Sequence, residues 1–286
     1  MQFVNFGNTG FQVSRLGFGG APAGLKNYLS PYDPNSGKDR DQVLAALQRA
    51  LDHGITYFDT AAGYGDGASE RLFGEGLKSK ARAELYLASK FGVWKTKEVR
   101  RELEATLERM QIDYLDLLQV HGTIYTKAQI EMILKQGGYL DQMEALREEG
   151  LVRHIGFTGE GSDAEIAQLL ETGRFDAGQF QYNFCFQHPC NPSRKSGLLY
   201  QAQALGMATI SMRGTTSGLF QRWIQQVNPA NDFDYTPALI QFNLSNPLIN
   251  VVLVGMRTPE EVDRNVALLE DRAGRIDLQK LFESYV

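Results

Sequence analysis

The chain has 286 residues, of which 43 % are hydrophobic, and a formal net charge of −5. Dispersed and mildly acidic charge argues against a nucleic-acid binder, which needs a basic face. The longest apolar runs, such as 251–254, are far short of a membrane span. The polar first ten residues lack the basic-then-apolar order of a secretion signal. A cytoplasmic protein acting on a small molecule is expected, as a monomer or small homo-oligomer. Length alone suggests two domains, yet α/β barrels of roughly 250 residues fold as one, so a single domain over 1–286 is expected.

Residues 3–6 and 11–14 flank Gly7-Asn8-Thr9-Gly10, a hairpin signal. A strand at 15–20, a long loop at 21–39 and a helix at 40–53 follow. Val43, Leu44, Leu47 and Leu51 of that helix share one face. Strand 56–59 leads to helix 69–78, and strand 85–89 to helix 97–110. Strand 114–120 leads through a loop at 122–138, which has room for a short helix, to helix 140–149. Strand 154–158 precedes helix 163–171, where Ser162 and Glu165 form a capping box. Strand 177–182 pairs with helix 196–205. Strand 208–212 is followed by a long loop at 214–235 and helix 236–246. Strand 251–255 leads into a last long helix from Thr258, with Pro259 at its first position.

Strict alternation of strand and helix predicts a parallel sheet with helices outside. Eight such units point to closure as a (β/α)8 TIM barrel, with the N-terminal β-hairpin closing the bottom. The rival is an open doubly wound sheet. Its dinucleotide fingerprint requires a third glycine where this chain has Pro22, in Gly17-Phe18-Gly19-Gly20-Ala21-Pro22. The three long loops all follow strands and so lie on the C-terminal face, where barrel enzymes keep their sites.

Four polar residues fall at or just past strand ends: Asp59, Tyr64, Lys90 and His121. Singly, each has an ordinary reading as a loop hydrogen-bonder, a packed ring or a solvated charge. Together they converge on one pocket. A lysine ending an apolar strand needs a counter-charge once buried, and Asp59 on the adjacent strand supplies it. A phenol beside an ammonium is expected to have a lowered pKa, which makes Tyr64 a general acid, with His121 orienting a carbonyl oxygen. No metal site is expected. Cys185 and Cys190 lack CxxC spacing, and strands 1, 5 and 8 end in Gly20, Thr158 and Gly255, which cannot serve a metal-assisted hydrolase.

These residues resemble the aldo-keto reductase family. The resemblance rests on Phe58-Asp59-Thr60-Ala61 with Tyr64-Gly65 and Glu70, on Ala88-Ser89-Lys90, and on Asp113-Tyr114-Leu115-Asp116-Leu117 through His121. It covers nearly the whole chain. It implies an NAD(P)-dependent oxidoreductase that reduces an aldehyde or ketone to an alcohol, or the reverse. The catalytic set is then Asp59, Tyr64, Lys90 and His121, with Tyr64 as general acid/base. A nicotinamide-binding regulatory subunit with little turnover is the alternative.

The resemblance further implies a cofactor track over Gly20, Thr158, Gln179, Ser211, Met212, Arg213, Gly218, Gly255, Arg257, Thr258, Glu261 and Asn265. Gln179 fits the family glutamine that holds the carboxamide. Thr158-Gly159 stands where the family shows Ser-Asn, and Ile210 matches the position of a stacking aromatic, with Met212 as a second candidate. Arg257 favours NADP(H) by pairing with a 2′-phosphate, while NAD(H) is admitted if Glu261 bonds ribose hydroxyls. Thr258-Pro259-Glu260-Glu261 is also a capping box, the better-fitting reading of Glu261. Trp94, with Tyr64 and His121, is expected to contact substrate. Tyr28, Tyr32, Tyr125, Phe220 and Trp223 are further candidate walls, and Arg213 or Arg222 a candidate anion site.

Overall fold

The computed structural model describes residues 1–284 apart from positions 29, 95 and 162, so the capping box at Ser162 lies outside the described residues. A two-stranded antiparallel hairpin, β1 (Phe3–Asn5) and β2 (Gln12–Ser14), precedes the barrel. The barrel strands are β3 (Leu16–Gly19), β4 (Tyr57–Asp59), β5 (Tyr86–Gly92), β6 (Leu115–His121), β7 (Val152–Gly159), β8 (Ala177–Gln181), β9 (Ala208–Met212) and β10 (Val251–Gly255). They close in chain order, with β10 paired to both β9 and β3 and every ladder parallel.

Helices connect the strands: α1 (Ala21–Gly24) and α2 (Gly37–Asp52) after β3, α3 (Ala68–Gly76) after β4, and α4 (Val99–Met110) after β5. The pair α5 (Lys127–Leu134) and α6 (Tyr139–Glu148) follows β6, α7 (Asp163–Glu171) follows β7, and α8 (Leu198–Ala204) follows β8. The chain ends with α9 (Leu219–Val227) and α10 (Thr236–Leu244) after β9, then α11 (Pro259–Glu270) and α12 (Leu278–Glu283) after β10. The loop expected at 122–138 thus contains α5, and the loop at 214–235 contains α9. Among the described residues no helix is long and apolar enough to cross a membrane.

Two hydrophobic layers follow from the side-chain periods of strand and helix. Between strands and helices, α2 buries Val43, Ala46, Leu47 and Ala50, one face at helical spacing, against the sheet. Inside the barrel, every second strand residue points to the axis. Tyr57, Tyr86, Ala88, Leu117, Ala177, Ala208, Ile210 and Val251 fill the lower interior. The next interior positions toward the C-terminal ends are polar: Asp59, Lys90, Gln119 and Gln179, all buried. Alternation therefore places an apolar floor beneath a polar site.

The hairpin seals the floor. Phe6 is fully buried, with its ring edge-on to Tyr86 at 4.8 Å and tilted against Tyr57 at 5.5 Å. Gly7 has φ of 52°, and a Cβ there would stand 2.4 Å from the backbone nitrogen of Ala208. Only glycine accepts both the left-handed backbone and that approach. Arg15 joins the start of the barrel to its end, donating to the carbonyls of Ile249 (2.7 Å), Leu244 (3.0 Å) and Asn246 (3.2 Å).

Candidate active site

β5 runs to Gly92, further than the sequence suggested, so Lys90 lies within the strand and faces the interior. Its ammonium donates to Asp59 Oδ1 at 2.5 Å and to the Thr60 carbonyl at 2.7 Å. The second carboxylate oxygen, Oδ2, accepts from Gln119 Nε2 at 3.1 Å. Gln119 was not anticipated, although it sits two residues before His121 on β6 and strand alternation puts both on the interior face. Burial pushes the Asp59 carboxyl up and the Lys90 ammonium down, and each partner's charge opposes the other's shift. Held together this closely, they act as one buried ion pair.

Above the pair, the Lys90 ammonium lies 5.3 Å from the centroid of the Tyr64 ring. Tyr64 meets His121 edge-to-face with centroids 5.5 Å apart. The expectation that Lys90 lowers the Tyr64 pKa is reversed. Burial raises it, and the Asp59 carboxylate adds to the rise. The ammonium's charge is directed to Asp59, so the resting phenol holds its proton firmly. His121 is pulled down to about 3 by burial and by the Lys90 charge, and is a neutral imidazole at neutral pH.

Asp59, Tyr64 and His121 floor a cleft that runs between the ends of β3, β4, β6, β7, β8, β9 and β10 and includes Gly20, Tyr28, Thr158, Glu160, Gln179, Met212, Arg213 and Gly255. Gln179 is buried and its amide oxygen has no partner, while its nitrogen touches Met212 Sδ at 3.6 Å. A buried orphan amide at a cleft wall is costly unless a ligand completes it. A nicotinamide carboxamide is a fitting complement, so the residues present suit the cofactor.

Several expected contacts are reassigned by geometry. Ile210 packs in the apolar floor, and Met212 alone of the two faces the cleft, one alternation step nearer the mouth. Ser211, on the opposite face of β9, is buried and does not line the cleft. The Thr158 hydroxyl is bonded to Gly122, accepting from its nitrogen at 3.0 Å and donating to its carbonyl at 2.6 Å. Glu261 belongs to the capping box of α11, accepting from the backbone nitrogens of Arg257 (2.6 Å) and Thr258 (3.3 Å) while the Thr258 hydroxyl accepts from Glu261 N. Asn265 is buried on α11, and Gly218 forms the N-cap of α9 with φ of 71°; both lie outside the cleft lining.

Arg257 donates to Ser30 Oγ at 2.6 Å and stacks 4.7 Å above the Tyr32 ring. Its Nη1 is buried without a partner. The loop after β3 is tied across the cleft by a Tyr28–Ser217 hydroxyl contact of 2.9 Å.

Substrate walls differ from expectation as well. Trp94 is 55 % exposed and does not line the cleft, because the extra length of β5 carries it beyond the mouth. Tyr32 and Tyr125 are buried, their hydroxyls donating to the Ala23 and Thr158 carbonyls. Phe220, Trp223 and Arg222 line a second, largely apolar chamber with Phe186 and Leu219, and Arg213 borders both spaces. Glu70 stands outside the barrel, where it accepts from Ser89, Thr106 and Arg109 and holds α3 and α4 to β5.

Comparison with known proteins gives a consistent picture. A sequence profile described as the aldo/keto reductase family matches residues 15–241. An L-galactose dehydrogenase of Arabidopsis thaliana is 28 % identical, over 93 % of this chain and 87 % of its own. An NADH-specific methylglyoxal reductase of Escherichia coli (strain K12) is 26 % identical over 94 % of each. The crystal structure of an aldo-keto reductase from Klebsiella pneumoniae in complex with NADPH shares the fold, with a TM-score of 0.72 at 23 % identity over 99 % of this chain and 93 % of that one.

Proposed function

The chain belongs to the aldo/keto reductase family and is an NAD(P)-dependent oxidoreductase, and from that premise we propose that Tyr64, His121, Lys90 and Asp59 interconvert a carbonyl and an alcohol at the barrel mouth. The observation that carries this reading is the stack of Tyr64 and His121 rings above a buried Lys90–Asp59 pair. When bound, the nicotinamide supplies or accepts the hydride. The chain's own residues do the rest. Neutral His121 donates a hydrogen bond that orients the carbonyl oxygen. Tyr64 delivers the proton to that oxygen, and the nearby ammonium meets the negative charge this leaves on the phenol. Asp59 and the Thr60 carbonyl hold the ammonium in place. In the reverse direction Tyr64 receives the proton.

Gln179 would complete its amide against the nicotinamide carboxamide, and Met212 would make an apolar contact to the cofactor. Gly20 and Gly255 line the path, and Arg257 is the candidate for a 2′-phosphate, favouring NADP(H), with its unpartnered Nη1 supporting that assignment. The substrate is a small carbonyl compound or alcohol. The names of the relatives, a sugar dehydrogenase and a methylglyoxal reductase, suggest a short polar aldehyde or a sugar lactol. A cytoplasmic location fits a chain that uses this cofactor.

The test joins binding to turnover. Calorimetric titration of nucleotide-free protein should show binding of NADPH. Tyr64→Phe should keep that binding and lose on the order of 10²–10⁴-fold in kcat, the usual contribution of a general acid. Full turnover by the variant would refute the role of Tyr64, and failure to bind either NADPH or NADH would refute the cleft assignment.

A further inference from the structure

One pair of charges at the cleft lies outside the set of Tyr64, His121, Lys90 and Asp59. Glu160 is the first residue beyond β7 and Arg213 the first beyond β9. They reach across the end of β8 and meet, Arg213 Nε to Glu160 Oε1, at 2.9 Å. Both line the cleft that contains Tyr64 and His121. The Glu160 side chain is only 15 % exposed, and burial pushes its carboxyl up while Arg213 opposes the rise. Their charges reach the catalytic phenol, Glu160 holding its proton on and Arg213 favouring its release.

Arg213 is also held against its backbone preference. Its φ is 55°, in the left-handed region that glycine occupies with least strain. Its carbonyl is fixed there by Asn183 Nδ2 at 2.9 Å and by the Thr216 nitrogen at 2.8 Å. Gly214 follows it in the turn that the Thr216 nitrogen closes on the Arg213 carbonyl. Strain kept at a cleft wall is an observation that points to function.

We propose that the Glu160–Arg213 pair sets the charge of the substrate, admitting uncharged carbonyl compounds and turning away those that bear a carboxylate; this rests on the reductase reading above. An unpaired arginine at this point would grip a carboxylate strongly. Glu160 occupies it and presents its own negative charge beside Tyr64, within a partly dehydrated cleft where like charges repel far more than in water. Specificity then arises from a repulsive element as much as from an attractive one. An uncharged substrate meets neither obstacle, because the pair is electrically neutral as a unit.

The experiment compares benzaldehyde with 4-carboxybenzaldehyde, using NADPH and the full chain. The readout is the ratio of kcat/KM for the anionic over the neutral aldehyde. Glu160→Gln, which frees Arg213 and removes the repulsion, should raise that ratio tenfold or more. Arg213→Gln, which leaves Glu160 unopposed, should lower it below the wild-type value. Opposite movements of the two variants are the signature, and either variant alone suffices if the other does not fold. An unchanged ratio, with weaker NADPH binding by calorimetry, would make the pair a cofactor strap and overturn the proposal. If the wild type reduces neither aldehyde nor methylglyoxal although it binds NADPH, the reductase reading itself falls, and this proposal with it.

Discussion

Lys90 joins chemistry to stability in one side chain. It is buried, bonded to a carboxylate and a carbonyl, and placed under the Tyr64 ring. Removing one member of a buried pair strands the other's charge, a loss of about 3–5 kcal/mol. Lys90→Met should therefore lower the unfolding free energy by roughly that amount in urea titration, because Asp59 stays behind unpaired. The double variant Lys90→Met with Asp59→Asn should recover much of the loss while remaining inactive. Equal stability of the single and double variants would mean that Asp59 is not charged in the folded protein. The Lys90–Asp59 pairing was legible in the sequence, since a lysine ending an apolar run demands a partner. The direction of the Tyr64 pKa was not, because the balance between burial and a neighbouring ammonium depends on where the ammonium's own partner sits.

At the scale of elements, the hairpin and the strand periods decide how the site is presented. The eight strands were readable as short apolar runs between turn signals, and their alternation of inward and outward positions accounts for Asp59, Lys90, Gln119 and Gln179 sharing one level. The length of β5 was harder to read. Phe91 and Gly92 continue the strand beyond Lys90, and an apolar residue followed by glycine looks the same at a strand end as in its last pair. That misjudged end is what moved Trp94 from the cleft to the surface. The loop after β6 holds the short helix it had room for, α5, whereas α9 was missed because it buries none of its residues, so core contact gave no signal for it. Phe6 tests the hairpin's role. Deleting a fully buried phenylalanine costs about 3–5 kcal/mol, so Phe6→Ala should lower the urea midpoint with little change in the cofactor's Kd, the cleft being at the opposite end. A loss under about 1 kcal/mol would mean the floor stays closed without its plug.

Over the whole molecule, closure makes each strand depend on two neighbours, and the cleft is lined by the ends of seven of the eight. Cofactor bound there bridges segments distant in sequence and should stabilise them as a unit. At NADPH one hundred times its Kd, linkage predicts an increase of about 2.7 kcal/mol in unfolding free energy. Urea unfolding followed by tryptophan fluorescence and by circular dichroism should shift together, in one transition. Separate shifts would indicate that part of the chain unfolds independently of the cleft.

The Arg15 tie bears on how the chain is made. Gly7 and Arg15 are synthesised long before their partners, which are the backbone at Ala208 and the carbonyls of Leu244, Asn246 and Ile249. Phe6 can meet Tyr57 and Tyr86 early, but the Gly7 and Arg15 contacts wait for residues 208–249, and the ring of strands cannot shut until residues 251–255 emerge. Until then β3 and β9 each keep an unpaired edge, and the arrival of β10 is the step at which an open sheet becomes a barrel.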